Sequence, residues 1–297
     1  MLNNIETKWL YDFISLEECR SFTLAAEQRN ISQSSFSRRI RALEEAVGFE
    51  IFDRSASPLQ LTEPGRVFHA HIRNTLDDLE YQINKLHGGA PSRHRITIAA
   101  AHSLSVFVMP DLLRSLPNPQ ENIVYVESID VDDAVLNLKE GRSDFIFSFQ
   151  NEELMSEPFL HTRMMASRLY PVCACDAAGK PLFDARAPSL PLLNYTDTSY
   201  MGRQVNRYLA AVGRERFTVT FVSSMSDLLK RMVKQGFGIA WLPDYSIKEE
   251  LKHRELAILN LENAVMAMQV YLYRLDARLN TASESFWRTM KALHPTV

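Results

Sequence analysis

Between Thr62 and His87 the chain carries one uninterrupted helical pattern of about 25 residues, and no other stretch constrains the fold as strongly. Phe68, Ile72, Leu76, Leu79, Ile83 and Leu86 recur at intervals of four, four, three, four and three, close to a coiled-coil seam. At 1.5 Å per residue such a helix is a rod of roughly 37 Å. Thr62 is placed to cap it, and Pro64 falls in the first turn, where no N–H is missed. The apolar stripe is single and narrow, flanked by Arg73, Asp77, Asp78 and Lys85. A rod of this kind wants a partner helix; the alternative is packing against its own chain.

The rod separates two textures. Before it the chain reads helix after helix. After it, apolar runs at Arg95–Ala101, Ile123–Val126 and Asp144–Phe149 alternate with amphipathic stretches, the pattern of an α/β domain. The boundary is expected at His87-Gly88-Gly89-Ala90-Pro91-Ser92, where the periodicity meets two glycines and a proline. The expected division is residues 1–62, a linker helix over 63–89, and a C-terminal domain over 90–297.

In the first part, Trp9, Leu10, Phe13, Ile14 and Leu16 fall near helical spacing, and Ser21 is placed to cap a short helix over Phe22–Arg29. Ser32 caps a third helix whose Phe36, Ile40, Leu43 and Val47 form one inward stripe, and Gly48 ends it. At 100° per residue, Ser34, Arg38 and Arg41 lie within about 40° of the point opposite that stripe, with Gln33 and Ser37 on one flank. Then Phe49–Arg54 and Leu59–Thr62 read as a two-stranded wing with Arg54 at its tip.

Charge supports one use of that outward face. The chain as a whole has a formal net charge of −3, which argues against a phosphate-binding surface. Yet Gln28 to Arg41 holds Arg29, Arg38, Arg39 and Arg41 and no acid. Short polar side chains at a helix start, backed by arginines, suit a major groove: Gln and Arg pair with base edges, while Ser and Arg hold phosphates. A merely solvated face is the alternative for a lone basic helix. The adjoining wing and rod favour the DNA reading, with Arg54 reaching a flanking phosphate or minor groove.

Other classes find less support. There is no G-x-S-x-G, H-E-x-x-H, G-x-x-x-x-G-K or G-x-G-x-x-G, so no enzyme and no cofactor is expected. Cys19, Cys173 and Cys175 are too few and too oddly spaced for a disulfide framework or a closed zinc site. His69 and His71, two apart on a helix, point to different faces, so no metal site is expected there. No apolar run is long enough to span a bilayer, and polar Asn3, Asn4, Glu6 and Lys8 stand where a secretion signal would be apolar. A cytoplasmic protein without membrane contact is expected.

The run AAEQRNISQSSFSRRIRALEEAVGFEIFDR followed by LTEPG resembles the winged helix-turn-helix and linker-helix start of LysR-type transcriptional regulators. Leu138-Lys139-Glu140-Gly141-Arg142-Ser143-Asp144 and Gly236-Phe237-Gly238-Ile239-Ala240-Trp241-Leu242-Pro243 are similar to that family's effector-domain signatures. Within the family, NIETKWLYDF, AAAHSLS, SYMGR, FVSSMS and GIAWLP resemble the hypochlorite-responsive members. The resemblance implies an all-α winged helix-turn-helix, a long linker helix, and an α/β effector domain of two Rossmann-like subdomains, like a periplasmic solute-binding protein. The subdomains are expected over about 90–165 with 268–297, and about 166–267. A secreted solute-binding protein would account for residues 91–297 and leave residues 1–90 unused.

Carried across residue by residue, the resemblance implies DNA contacts by Gln33, Ser34, Ser37, Arg38 and Arg54, with Arg41 added by the helical face. Ser34 and Ser35 stand where many members have Pro and Ala. It also implies a homodimer through the linker helices, a homotetramer through the effector domains, an operator in double-stranded DNA, and RNA polymerase contact if the regulator activates. Strand ends and helix starts expected to converge on the inter-subdomain cleft carry His102, Ser103, Ser148, Ser199, Tyr200, Ser223 and Ser224. Met201 and Met225 sit among these polar residues and are candidate redox sensors, because a sulfoxide turns an apolar side chain into a polar acceptor. The alternatives are a small anionic or polar metabolite as signal, and methionines that merely fill gaps.

Overall fold

The computed structural model describes residues 5–87, 94–116, 122–129 and 131–294. The expected boundary at residues 88–92 lies outside the described residues. Helices α1 (Thr7–Cys19), α2 (Phe22–Gln28) and α3 (Gln33–Val47) close on Phe13, Leu16, Ala25, Ala26, Phe36, Ile40 and Leu43, all buried. The third helix starts where Ser32 accepts a hydrogen bond from the Ser35 N–H and stops at Gly48, whose φ of +84° is unfavourable for a side-chain-bearing residue. Strands β1 (Phe52–Asp53) and β2 (Gln60–Leu61) pair antiparallel as a wing, with Phe52 opposite Leu61 on the core side.

Helix α4 (Glu63–Leu86) then leaves this domain. Thr62 Oγ1 accepts from the Gly65 N–H at 3.1 Å and donates to the Glu50 carbonyl at 2.6 Å. Gly65 packs so closely that a Cβ there would lie 2.2 Å from the Ile51 carbonyl oxygen. The seam expected along this helix divides in two. Phe68 and Ile72 pack on the DNA-domain core and Leu76 is buried, whereas Leu79, Ile83 and Leu86 are exposed, Leu86 at 84%. The first half of the rod is covered by the DNA-domain core at Phe68 and Ile72 and by an effector-domain loop whose Gly141 packs against Ala70.

The remainder is α/β. In order it comprises β3 (His94–Ala100), α5 (His102–Phe107), α6 (Met109–Arg114), β4 (Asn122–Ser128), α7 (Val131–Lys139) and β5 (Phe145–Phe149). There follow β6 (Phe159–Ala174), β7 (Leu190–Asn194), α8 (Tyr200–Val212), β8 (Phe217–Val222) and α9 (Ser226–Lys234). The chain closes with β9 (Ala240–Pro243), α10 (Asp244–Lys252), β10 (Leu256–Ile258), β11 (Met266–Leu275) and α11 (Thr281–Leu293). β3 lies parallel between β4 and β5, while β7 and β8 form a second parallel pair joined to the β9 region through Leu192 and Ile239. The long strands β6 and β11 pair antiparallel and serve both lobes, β11 flanking β5 and β6 flanking β9 and β10. This is the two-subdomain α/β fold that the resemblance implies. No helix among the described residues is long and apolar enough to cross a membrane.

Candidate nucleic-acid interface and effector cleft

On α3, Gln33, Ser34, Arg38 and Arg41 are exposed and Ser37 is half-buried; Ser34, Arg38 and Arg41 lie on the side away from Phe36 and Ile40, with Gln33 and Ser37 on one flank. The helix start is a small hydroxyl network: Ser32 Oγ donates to Ser35 Oγ at 2.9 Å, Ser34 Oγ lies 3.2 Å from it, and Arg38 Nη2 donates to Ser35 Oγ at 3.3 Å. Ser34 and Ser35 therefore hold the cap and steady Arg38.

The four arginines of the basic segment do not act alike. Arg29 and Arg39 reach inward to Asp12, at 2.8 and 3.2 Å, and neutralise a carboxylate that is fully buried on α1. Arg38 and Arg41 have no carboxylate within 4 Å among the described residues, so they carry the free charge of the face. The structure draws Arg54 back from the wing tip: its Nη2 meets Glu44 at 2.5 Å, and Glu44 also accepts from the Ile51 and Phe52 N–H groups. The side chain stays nearly half exposed. The Asp12 and Glu44 partnerships join residues well apart in the chain, and local charge counting misses them.

In the effector domain a small cavity opens where the ends of β3, β5 and β7 meet the starts of α8 and α9. It measures about 40 Å³, room for only a few atoms. His102, Ser103, Ser199, Tyr200, Met201, Ser224 and Ser226 line it together, as do Ile129, Phe149 and Tyr195, which sequence reasoning did not single out. Tyr200 closes one side by stacking on Phe149, with centroids 4.5 Å apart and planes at 10°. Ser199 caps α8, accepting from the Gly202 N–H at 3.0 Å, and Ser103 Oγ lies 2.8 Å from the Tyr245 hydroxyl. His102 Nδ1 is buried without a hydrogen-bond partner among the described residues.

The deepest polar chain in the cleft ends on sulfur. Tyr195 Oη and Ser226 Oγ are 2.9 Å apart, and Ser226 Oγ donates to Met201 Sδ at 3.4 Å. Burial pushes the Tyr195 phenol well above its ordinary pKa, against a smaller lowering by Ser226, so the group stays protonated. Burial likewise raises the Tyr200 phenol, although Arg207 and Arg203 pull the other way.

Three expected cleft residues are not brought to this cavity. Ser148 is fully buried, but it lies on the face of β5 shared with Ile146, opposite Phe147 and Phe149; its hydroxyl has no partner among the described residues. Ser223 turns to accept from the Met225 N–H at 3.1 Å, and Met225 stands 41% exposed before α9. Met201, by contrast, is only 4% exposed. Cys19, Cys173 and Cys175 are free thiols, and burial raises the pKa of each. No group of three or more metal-ligating His, Cys, Asp or Glu side chains occurs among the described residues.

A winged helix-turn-helix on a rod-like helix, joined to a two-lobed domain with an interior cleft, defines a DNA-binding regulator. Residues 7–66 match the family of bacterial regulatory helix-turn-helix proteins of the lysR family, and residues 89–294 match the LysR substrate binding domain. The chain belongs to the LysR family of bacterial transcriptional regulators. It is 49% identical over 99% of its length to the HTH-type transcriptional regulator YjiE of Escherichia coli K12, covering 96% of that protein. It is similar to the full-length structure of HypT from Salmonella typhimurium, a hypochlorite-specific LysR-type regulator, at 48% identity and a TM-score of 0.64, covering 99% of this chain and 100% of that one. Vibrio fischeri DarR, solved in complex with DNA, matches at 38% identity and a TM-score of 0.62 over 97% and 98% of the two chains. The relatives are transcriptional regulators, not enzymes.

Proposed function

We propose that this LysR-type regulator answers to hypochlorite through oxidation of Met201 in the effector cleft. The observation that carries the reading is a thioether lining a cavity of about 40 Å³, far below the several hundred Å³ of ordinary metabolite pockets. Hypochlorous acid transfers its oxygen to the sulfur, giving a sulfoxide, a chloride ion and a proton; sulfur is oxidised by two electrons and chlorine reduced by two. The new S=O is a strong acceptor beside Ser226 Oγ, and its bulk repacks a site that Tyr200 and Phe149 close. Similarity to HypT, described as hypochlorite-specific, supports the same signal. Exposed Met225 is a second oxidation target, at the start of α9.

On the DNA side, Gln33, Ser34, Ser37, Arg38 and Arg41 enter the major groove of the operator, and Arg54 takes a flanking phosphate after leaving Glu44. Exposed Leu79, Ile83 and Leu86 pair the linker helices of two copies. Mostly exposed β4 and β8, with Tyr125, Val126, Val219 and Val222, are faces for joining effector domains into a tetramer. Functionally the chain divides into a DNA-binding unit over 1–62, a dimerisation helix over 63–89 and an effector unit over 90–297. An activating role would bring RNA polymerase as a further partner, and the reducing cytoplasm is its compartment.

The test is to treat the protein with hypochlorite, map sulfoxides by mass spectrometry, and repeat operator binding with Met201→Ile and Met225→Ile. Oxidised wild type should change its operator binding or transcription, and Met201→Ile should not. A response that survives both substitutions, or oxidation without a response, favours the second reading. In that reading a small polar or anionic metabolite opens the cleft and binds Ser103, Ser199, Tyr200 and Ser224; the unpartnered Nδ1 of His102 favours it.

A further inference from the structure

Neither the reading face nor the cleft accounts for a set of buried charges where the DNA-binding domain meets the effector domain. Gly141, with φ of +67°, lies so close to α4 that a Cβ there would be 2.7 Å from the Ala70 Cα. Around this contact three segments supply ionisable side chains. Glu17 comes from α1, His69 and Arg73 from α4, and Glu140, Arg142 and Asp144 from the loop before β5. Glu17, His69, Glu140 and Asp144 are buried.

The pairings cross between domains. Arg142 Nε donates to Glu17 Oε1 at 2.9 Å, and the same guanidinium pairs with Glu140. Arg20, just past α1, reaches Glu140 at 3.4 Å. His69 Nδ1 lies 2.7 Å from the Glu140 carbonyl oxygen, with its Nε2 3.7 Å from Glu17. Arg73 donates to Asp144 and to the Arg142 carbonyl, both at 2.6 Å.

Glu17 is the telling member. Among the described residues its cationic partner is Arg142, with the neutral His69 ring at longer range, and neither belongs to the three-helix domain that carries it. A carboxylate is costly to bury without a counter-ion, so the DNA-binding domain is matched to this loop by charge as well as by shape. Ion pairs of this kind add little net stability but reject other geometries. The loop is also mechanically placed. Asp144 accepts from the Thr97 N–H at 2.8 Å and from Ser283 Oγ at 3.2 Å, and it immediately precedes β5. At the far end of that five-residue strand, Phe149 is the ring that Tyr200 stacks on in the cleft.

We infer that the loop 140–144 is a docking surface for the chain's own DNA-binding domain, with Arg142–Glu17 as its latch, and that β5 carries displacement at the cleft to that latch. The inference rests on the assignment as a regulator and holds whichever signal the cleft receives. While the latch is closed, α1 and the reading helix packed on it keep one orientation relative to the effector domain. Movement of Phe149 shifts Asp144 and Arg142 together, because the strand between them is paired on both sides by β3 and β11.

The test uses the full-length protein and no oxidant. Glu17→Gln, Arg142→Gln and the double variant are compared by amide hydrogen exchange over residues 7–19 and 140–144 and by operator affinity. Each single variant should speed exchange in both segments together by about tenfold and shift operator affinity several-fold. The double variant should do no more than either alone, as expected for one shared contact. Arg142→Lys, which keeps the charge but loses the planar fork, should fall between wild type and Arg142→Gln. Unchanged exchange and affinity in the singles would overturn the inference, and so would additive effects in the double. Methionine oxidation is not read at any step, so a failure here is separable from a failure of the hypochlorite reading.

Discussion

His69 makes the folding of this protein sensitive to mild acid by an amount that follows from its surroundings. The ring is 2% exposed, and burial pulls its pKa from the usual 6.5 down to about 4; the Glu17 charge opposes this and Arg73 adds to it. In the folded chain the imidazole is therefore neutral at pH 5, its Nδ1–H donating to the Glu140 carbonyl. In the unfolded chain it takes a proton below about 6.5. The unfolded state binds more protons over this window, so stability falls as the pH drops. The linked term is about 0.2 kcal/mol at pH 7 and about 2 kcal/mol at pH 5, a loss of roughly 2 kcal/mol. His69→Gln keeps an N–H for Glu140 and cannot titrate. Urea unfolding followed through Trp9, which packs on the DNA-domain core, should show the wild type losing about 2 kcal/mol more than His69→Gln between those pH values. Equal losses in the two proteins would refute the reasoning, since carboxylates elsewhere contribute the same to both.

Arg38→Ala should weaken specific operator binding tenfold or more in a gel-shift titration while leaving the melting temperature unchanged, because the side chain is exposed and packs on no core residue. Ile83→Asp places a charge on the exposed half of α4 and should shift the protein toward monomer in sedimentation without lowering the stability of either domain. Gly141→Ala should destabilise by about 2 kcal/mol in thermal unfolding, from a left-handed backbone and a Cβ driven into Ala70.

Features set by neighbours in the chain were legible from sequence. Ser32 and Gly48 bound α3 as their local chemistry requires, and Phe36, Ile40 and Leu43 face inward on a helical period. Thr62 and the spacing after it announce α4, and the apolar run Arg95–Ala101 falls on β3. What was not legible depends on distant partners. Nothing local marks Asp12 as the counter-ion of Arg29 and Arg39, or Glu44 as that of Arg54. The FIFSF run of β5 is buried on both faces, so alternation does not say that Phe149 turns to the cleft and Ser148 away from it. The stripe of α4 reads as one seam because the sequence of a helix does not reveal that the DNA-domain core and the Gly141 loop will cover its first half.

These partnerships also bear on how an acidic chain would read DNA. Of the arginines in the basic segment, two neutralise Asp12, and only Arg38 and Arg41 remain for phosphate. Lys8, Arg20 and Arg66 are held by Glu6, Glu140 and Glu63, and Arg54 is available once it leaves Glu44. Each phosphate neutralised contributes a slope of about −0.9 to the logarithm of affinity against the logarithm of salt concentration. Two DNA-binding domains acting as a pair then give a slope of about −4 from Arg38 and Arg41 alone, and about −5 if Arg54 joins. Titrating operator binding across salt concentrations measures it directly. A slope near −9 would mean that Arg29 and Arg39 abandon Asp12 on binding, leaving a buried carboxylate unpaired, and the division of labour among the arginines would be wrong. A shallow slope with strong sequence preference would place most of the binding energy in base contacts by Gln33, Ser34, Ser37 and Arg38, which is what a face of hydroxyls and few free charges is suited to provide.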